Sequence, residues 1–187
     1  QYPLASNATL EKFYKEKSEG EFCPELMEAR KAVWEVLRPF RTKLLRLAPA
    51  KFIHFGTTRE VLELMDTGVE DYTGLGWSRS VSSSIDRGTA AGYMSVLSSG
   101  ADCGRGVYLE VSSAGSGARI GDHSILSFVD IGDETIPADV VLHALKQRDG
   151  KFVARIYGVG DNPKTGIGGT FLGSTLEGFM RRNDLSE

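Results

Sequence analysis

Five side chains in this sequence have the chemistry to meet a ligand: His54, Arg59, Asp161, Asn162 and Lys164. Arg59 and Lys164 can give charge-assisted hydrogen bonds to a phosphate. Asp161-Asn162-Pro163-Lys164 sets an acid, an amide and a cation close together. Such a group can hold a phosphate or a sugar hydroxyl, and it is equally a strong turn signal. His54 follows Phe52-Ile53 and stands just before a helix start, which separates it from His123 and His143. The three histidines have no metal-type spacing. His143 lies in the apolar run Val140-Val141-Leu142-His143-Ala144-Leu145 and reads as a satisfied strand residue. Serine and cysteine nucleophiles have no base nearby in sequence.

Phosphate cradles are not evident. Gly74/Gly76, Gly104/Gly106, Gly115/Gly117, Gly158/Gly160 and Gly166/Gly168 each lack the third glycine of a dinucleotide fingerprint. Lys164-Thr165-Gly166 imitates one box of penicillin-binding enzymes, but no lysine follows a serine by three positions. The glycines therefore read as turns. Of 22 in the chain, only Gly20 falls in the first 55 residues. A glycine-poor front and a glycine-rich back need different backbones.

The front reads as helix. A short helix is expected from Thr9 to about Lys17, ended by Ser18-Glu19-Gly20. Pro24 suits a first helical turn. Leu26, Val33, Leu37, Phe40, Leu44 and Leu47 then make one helical stripe, kinked or broken at Pro39 and ended at Pro49. Residues 51–55 read as a short strand. Thr57 or Thr58 caps a helix with Glu60 in its first turn, and Gly68 stops it. Residues 69–106 read as a loop-rich insertion, in which Trp77 and Tyr93 are the candidates for an aromatic sugar contact.

From Val107 the pattern becomes short β runs. Ile120-Gly-Asp-His-Ser-Ile125 and Ile131-Gly-Asp-Glu-Thr-Ile136 repeat a six-residue unit eleven residues apart. Aliphatic residues five apart with Gly-Asp corners predict coils of a parallel β-helix, with His123 on its surface. A β-sandwich is the alternative. The organisation expected is a helical linker over residues 1–50 and a mainly β domain over 51–187.

Bulk properties exclude several classes. The 187 residues are 41% hydrophobic and 25% charged, as in a soluble globular chain. A net charge of −3 is not that of a general nucleic-acid binder. No apolar run approaches the ~18 residues of a membrane helix. Cys23 and Cys103 are too few for a disulfide framework, and with no signal peptide evident a cytoplasmic location is expected.

Four blocks resemble the L-fucokinase/GDP-fucose pyrophosphorylase family. They are Lys51-Phe52-Ile53-His54-Phe55-Gly56-Thr57-Thr58-Arg59-Glu60-Val61-Leu62, Ile136-Pro137-Ala138-Asp139-Val140-Val141-Leu142-His143, Gly158-Val159-Gly160-Asp161-Asn162-Pro163-Lys164 and Thr170-Phe171-Leu172-Gly173-Ser174-Thr175-Leu176-Glu177. The resemblance covers about two thirds of the chain, and it places these blocks in the pyrophosphorylase half, in a C-terminal left-handed β-helix. It implies fucose salvage. One half of such proteins, the fucokinase, phosphorylates L-fucose with ATP. The other, a nucleotidyltransferase, joins L-fucose 1-phosphate to GTP, giving GDP-fucose and pyrophosphate. Mg²⁺ is expected for the intact enzyme and no cofactor for this stretch. The expected role here is non-catalytic, with no catalytic residue or metal ligand assigned. The expected partners are the nucleotidyltransferase domain of the same chain and further copies in a homo-oligomer, with no nucleic acid or membrane. A stand-alone carbohydrate-binding or scaffold module is the other reading.

Overall fold

The computed structural model describes residues 2–15, 23–43, 45–85, 88 and 90–185. The chain divides into two units, Gln1–Phe52 and Ile53–Glu187. Among the described residues no helix is long and apolar enough to cross a membrane.

The first unit is built on helices α1 (Leu10–Tyr14) and α2 (Pro24–Leu37). The Thr9 side chain caps α1 by accepting from the Lys12 amide. Arg30 of α2 reaches the last carbonyls of α1, its Nη1 donating to Phe13 (3.1 Å) and Tyr14 (2.7 Å). Its guanidinium lies 5.8 Å from the Phe13 ring centroid. Arg38 donates in the same way to the carbonyls of Pro3 and Ala5. The long stripe expected through Pro39 does not form. α2 stops at Leu37, because Pro39 has no N–H to carry the hydrogen-bond ladder onward and its ring crowds the preceding turn. Phe40 and Leu47 lie outside any helix and are exposed. α1 ends at Tyr14, short of the Lys17 expected, while Leu44 and Ser18-Glu19-Gly20 lie outside the described residues. Residues 51–55 carry no strand pairing, since a short apolar run becomes a strand only where a neighbour accepts it.

The second unit begins with α3 (Thr58–Glu63), which runs on as a π turn (Leu64–Gly68) and a 3₁₀ helix (Val69–Leu75). Gly68 therefore does not end the helical segment. Strand β1 (Ser80–Val81) follows. A first coil contains β2 (Ala90–Tyr93), β3 (Val96–Leu97) and β4 (Asp102–Cys103). A second contains β5 (Val107–Glu110), β6 (Ser113–Ala114) and β7 (Arg119–Ile120). A third contains β8 (Ile125–Ser127), β9 (Asp130–Ile131) and β10 (Thr135–Ile136). The coils stack in parallel into three faces, β1-β2-β5-β8-β11-β12, β3-β6-β9 and β4-β7-β10, where β11 (Val140–Lys146) and β12 (Phe152–Gly158) close the first face as an antiparallel hairpin. Strands β13 (Thr170–Phe171) and β14 (Ser174–Thr175) and helix α4 (Leu176–Arg182) complete the unit.

This is the mainly β, parallel β-helix architecture that the Gly-Asp corners predict. Two details differ. Residues 69–106 are not a loop-rich insertion: they supply the 3₁₀ helix, β1 and the whole first coil. Their strands are only two to four residues long and rich in alanine, glycine and serine, which hides them from a hydrophobicity pattern. The eleven-residue spacing of the Ile-Gly-Asp units is shorter than a coil, which takes 17 residues, as in the Glu110–Ser127 and Ser113–Asp130 pairs, and 16 at Arg119–Thr135 and Ile125–Val141. The two Ile-Gly-Asp units occupy different corners. Ile131 pairs with Ala114, whereas Ile136 pairs with Ile120. One unit turns the corner from β7 to β8 and the other the corner from β9 to β10.

Inward columns follow from this register: Leu97-Ala114-Ile131 on one face, Cys103-Ile120-Ile136 on the second and Leu109-Leu126-Leu142 on the third. Leu109 and Leu126 are fully buried. Met94, Val111 and Phe128 stack at one corner with φ of 48°, 46° and 56°, a left-handed bend that side chains of this bulk rarely adopt. Inside that corner Ser95 accepts from the Ser112 amide and Ser112 from the Val129 amide, each at 3.1 Å. These hydroxyls satisfy backbone donors that the ladder leaves over.

Glycine is required where coils touch. A Cβ on Gly121 would lie 2.3 Å from the Ala138 amide nitrogen. Gly121→Ala is expected to cost about 1–3 kcal/mol in urea unfolding. Gly74→Ala, with nothing within 4 Å of its new methyl, should stay within about 0.5 kcal/mol of wild type.

Candidate functional site

The outer face of the six-stranded sheet carries two rows set by strand register. Ala91, Tyr108, Ile125, Val141 and Tyr157 form one; Tyr93, Glu110, Ser127, His143 and Arg155 form the next. Side chains alternate along a strand, so each row runs across the coils. The first row is apolar, and Leu62 of α3 joins Ile125, Val141 and Val159 in a buried cluster over it. The second row is polar. Ser127 Oγ donates to Glu110 Oε2 at 2.6 Å. Partial burial raises the Tyr108 phenol above its ordinary value, with the Glu110 charge as a lesser cause.

A capping box fixes the start of α3. Glu60 Oε2 accepts from the amides of Gly56 (2.6 Å) and Thr57 (2.8 Å), and Thr57 Oγ1 accepts from the Glu60 amide (3.3 Å). The Gly56 bond, then the Thr57 bond, holds the Glu60 carboxyl below its ordinary value.

The segment after β12 is fixed by Asp161. Its Oδ2 accepts from the amides of Gly158 (2.6 Å) and Leu172 (3.0 Å), and its Oδ1 from Thr170 Oγ1 (2.9 Å). One carboxylate thus ties the end of the hairpin to β13 and the turn beyond it. Asn162 Oδ1 accepts from the Lys164 amide at 3.0 Å and caps the 3₁₀ helix Pro163–Gly168.

Four of the five side chains singled out in the sequence line one cleft of about 710 Å³: Arg59, Asp161, Asn162 and Lys164, with Gly56, Thr57 and Val159 among their neighbours. Arg59 leans over Gly160, 3.8 Å from where a Cβ would stand. His54 is not in that lining. Its Nε2 sits behind Gly56, 3.5 Å from a Cβ there, and its charge adds a small further lowering at Glu60. Among the described residues no group of three or more His, Cys, Asp or Glu is placed to hold a metal ion.

The family model of the fucose pyrophosphorylase domain matches residues 2–187. The chain belongs to that family. No curated protein and no solved structure matches it. The family match covers both units, the front helices included.

Within this fucose pyrophosphorylase domain, sequence reasoning missed a second cleft. Thr58, His143, Arg155, Tyr157, Asn162 and Phe171 line a volume of about 830 Å³ that shares Thr58, Asp161 and Asn162 with the first. His143 is not the satisfied strand residue expected: its Nε2 is buried with no hydrogen-bond partner among the described residues. The signal that could have found the pair is Asp149-Gly150, a hairpin dipeptide that folds β12 back on β11 and sets His143 opposite Arg155. His123 is exposed as expected, with Nδ1 3.7 Å from Asp139 Oδ1.

Replacing Asp161 by alanine should remove protection of the Gly158 and Leu172 amides in hydrogen exchange and cost about 1–3 kcal/mol. The Glu60 carboxyl should titrate below a peptide glutamate by NMR. Its stabilisation is full above the ordinary glutamate value and is lost as pH falls through the lowered one. Glu60→Gln should abolish that part of the acid dependence.

Proposed function

We propose that this chain is the β-helix part of a protein that forms GDP-L-fucose and pyrophosphate from GTP and L-fucose 1-phosphate, and that its role there is non-catalytic. The family match over residues 2–187 carries this reading. The interior columns and stacked corners make a stiff prism. The polar groups that looked most reactive in the sequence, Asp161 and Asn162, hold the chain's own backbone. Such a body suits the edge of a nucleotidyltransferase domain, where it would brace the active site and support contacts between copies. The chemistry, attack of the sugar phosphate oxygen on the α-phosphorus of GTP, belongs to that domain, together with Mg²⁺ and any linked fucokinase. A cytoplasmic location fits such an enzyme. Arg59 and Lys164, on the open side of the cleft, are the side chains we assign to contact with ligand or neighbouring domain, with His54 behind them.

One observation favours the carbohydrate-binding alternative. Trp77 and Tyr93 line a cleft of about 340 Å³ together with Tyr108. Addition of neutral L-fucose that shifts the Trp77 indole N–H resonance, and no such shift in Tyr93→Ala, would decide for it.

The test of the main reading is pyrophosphate release. The 187-residue chain with GTP, L-fucose 1-phosphate and Mg²⁺ should release none above background. The same chain joined to a nucleotidyltransferase domain of the family should release it. Release by the chain alone would overturn the non-catalytic role. A joined protein that accepts another sugar 1-phosphate in place of fucose would overturn the fucose assignment.

A further inference from the structure

We infer that the cleft between the β11–β12 hairpin and the C-terminal segment is a binding site for a sugar-sized phosphate monoester, held by Arg155 and His143. Three observations meet there. First, Arg155 and His143 are directly opposed across the antiparallel pair, so two nitrogen-bearing side chains stand side by side on one face. Second, neither is satisfied by the protein. The Arg155 guanidinium makes no hydrogen bond or ion pair among the described residues, and His143 Nε2 is the buried side-chain polar atom there that lacks a partner. A buried polar atom left unpaired is costly, and native structures leave few. Third, both line a cleft of about 830 Å³, within the range of small-molecule sites.

The lining selects the ligand class. Guanidinium presents a planar fork of donors that matches phosphate oxygens. The His143 imidazole, opposite Arg155 and lining the same cleft, offers Nε2 as one further hydrogen-bonding atom. Asn162 and Thr58 supply amide and hydroxyl groups at the side shared with the neighbouring cleft, suited to sugar hydroxyls. Tyr157 and Phe171 give ring faces for the body of the ligand. His143 meets Tyr157 edge-on at 5.7 Å between centroids and Phe171 meets Phe179 at 4.6 Å, so both rings are already packed in place. Both oxygens of the Asp161 carboxylate, at the edge shared by the two clefts, are engaged by three protein donors. The anion site follows from this geometry alone. Fucose as the sugar rests on the function proposed above.

The experiment titrates the whole chain separately with L-fucose 1-phosphate, inorganic phosphate and neutral L-fucose, followed by ³¹P line broadening and by the His143 ring resonances. L-fucose 1-phosphate should bind at least tenfold more tightly than inorganic phosphate, and L-fucose should not register at millimolar concentration. Arg155→Met should weaken both phosphates at least tenfold, Arg155→Lys less, with thermal unfolding unchanged because the side chain is exposed. His143→Phe, which keeps the ring but removes the nitrogens, should weaken them as well. No phosphate binding, or binding untouched by Arg155→Met, overturns the site. Equal affinity for the two phosphates overturns the sugar part. Neither result bears on pyrophosphate release, so the two readings fail separately.

Discussion

The fold depends on how closely backbones can lie on one another at the corners of the coil. A parallel β-helix stacks each turn directly on the last, about 4.8 Å apart. Flat sides stack easily, because side chains point in or out and never along the axis. Corners do not, since a bend swings a Cβ toward the neighbouring turn. The chain meets this with glycine where the approach is tightest, as where Gly104 faces Asp122 and Gly121 faces Ala138. At the corner of Met94, Val111 and Phe128 it accepts left-handed φ in bulky residues instead, and lets the buried hydroxyls of Ser95 and Ser112 stitch that bend from within. Strain at one corner is held by hydrogen bonds inside the same corner.

Everything with candidate function sits on the face that departs from the prism. α3 covers the apolar row and leaves the polar row open beside it. The same helix begins at a capping box, and Thr58 just after the cap borders both clefts, so the cap and the cleft walls are one structure. Asp161 then joins the hairpin end at Gly158 and the stretch Thr170–Leu172 to a single carboxylate. The site is thus assembled by local hydrogen bonds on a scaffold whose rigidity comes from the columns beneath.

Corners and caps were the legible part of the sequence. Gly-Asp after isoleucine marks a bend that can be read locally, and a threonine at 57 or 58 ahead of Glu60 marks a helix start, which the structure resolves to Thr57. The β-helix followed from the first and α3 from the second. The first coil was not legible, because alanine, glycine and serine can face inward in a narrow prism without a hydrophobic signature. The coil length was not legible either, because the visible repeat of eleven residues spans two sides of a triangle and not a whole turn. Arg59, Asp161, Asn162 and Lys164 were separable by charge and turn chemistry, and the structure gathers them. His143 and Arg155 needed the hairpin register. No single-residue property distinguishes a histidine with a partner from one without.

The reversed direction of β12 has a consequence for assembly. Each coil of the prism offers its successor a parallel template on three sides, and a stack of that kind has no intrinsic length. An incoming chain that continued the stack would have to pair in parallel on every face at once. β12 runs the wrong way for that on the widest face, and the stretch beyond it turns aside into a 3₁₀ helix. At the other end β1 is only two residues long, too short to seed a new turn. The hairpin that opposes His143 to Arg155 therefore also acts as a polarity stop, which ends the solenoid and guards it against growing into a fibre.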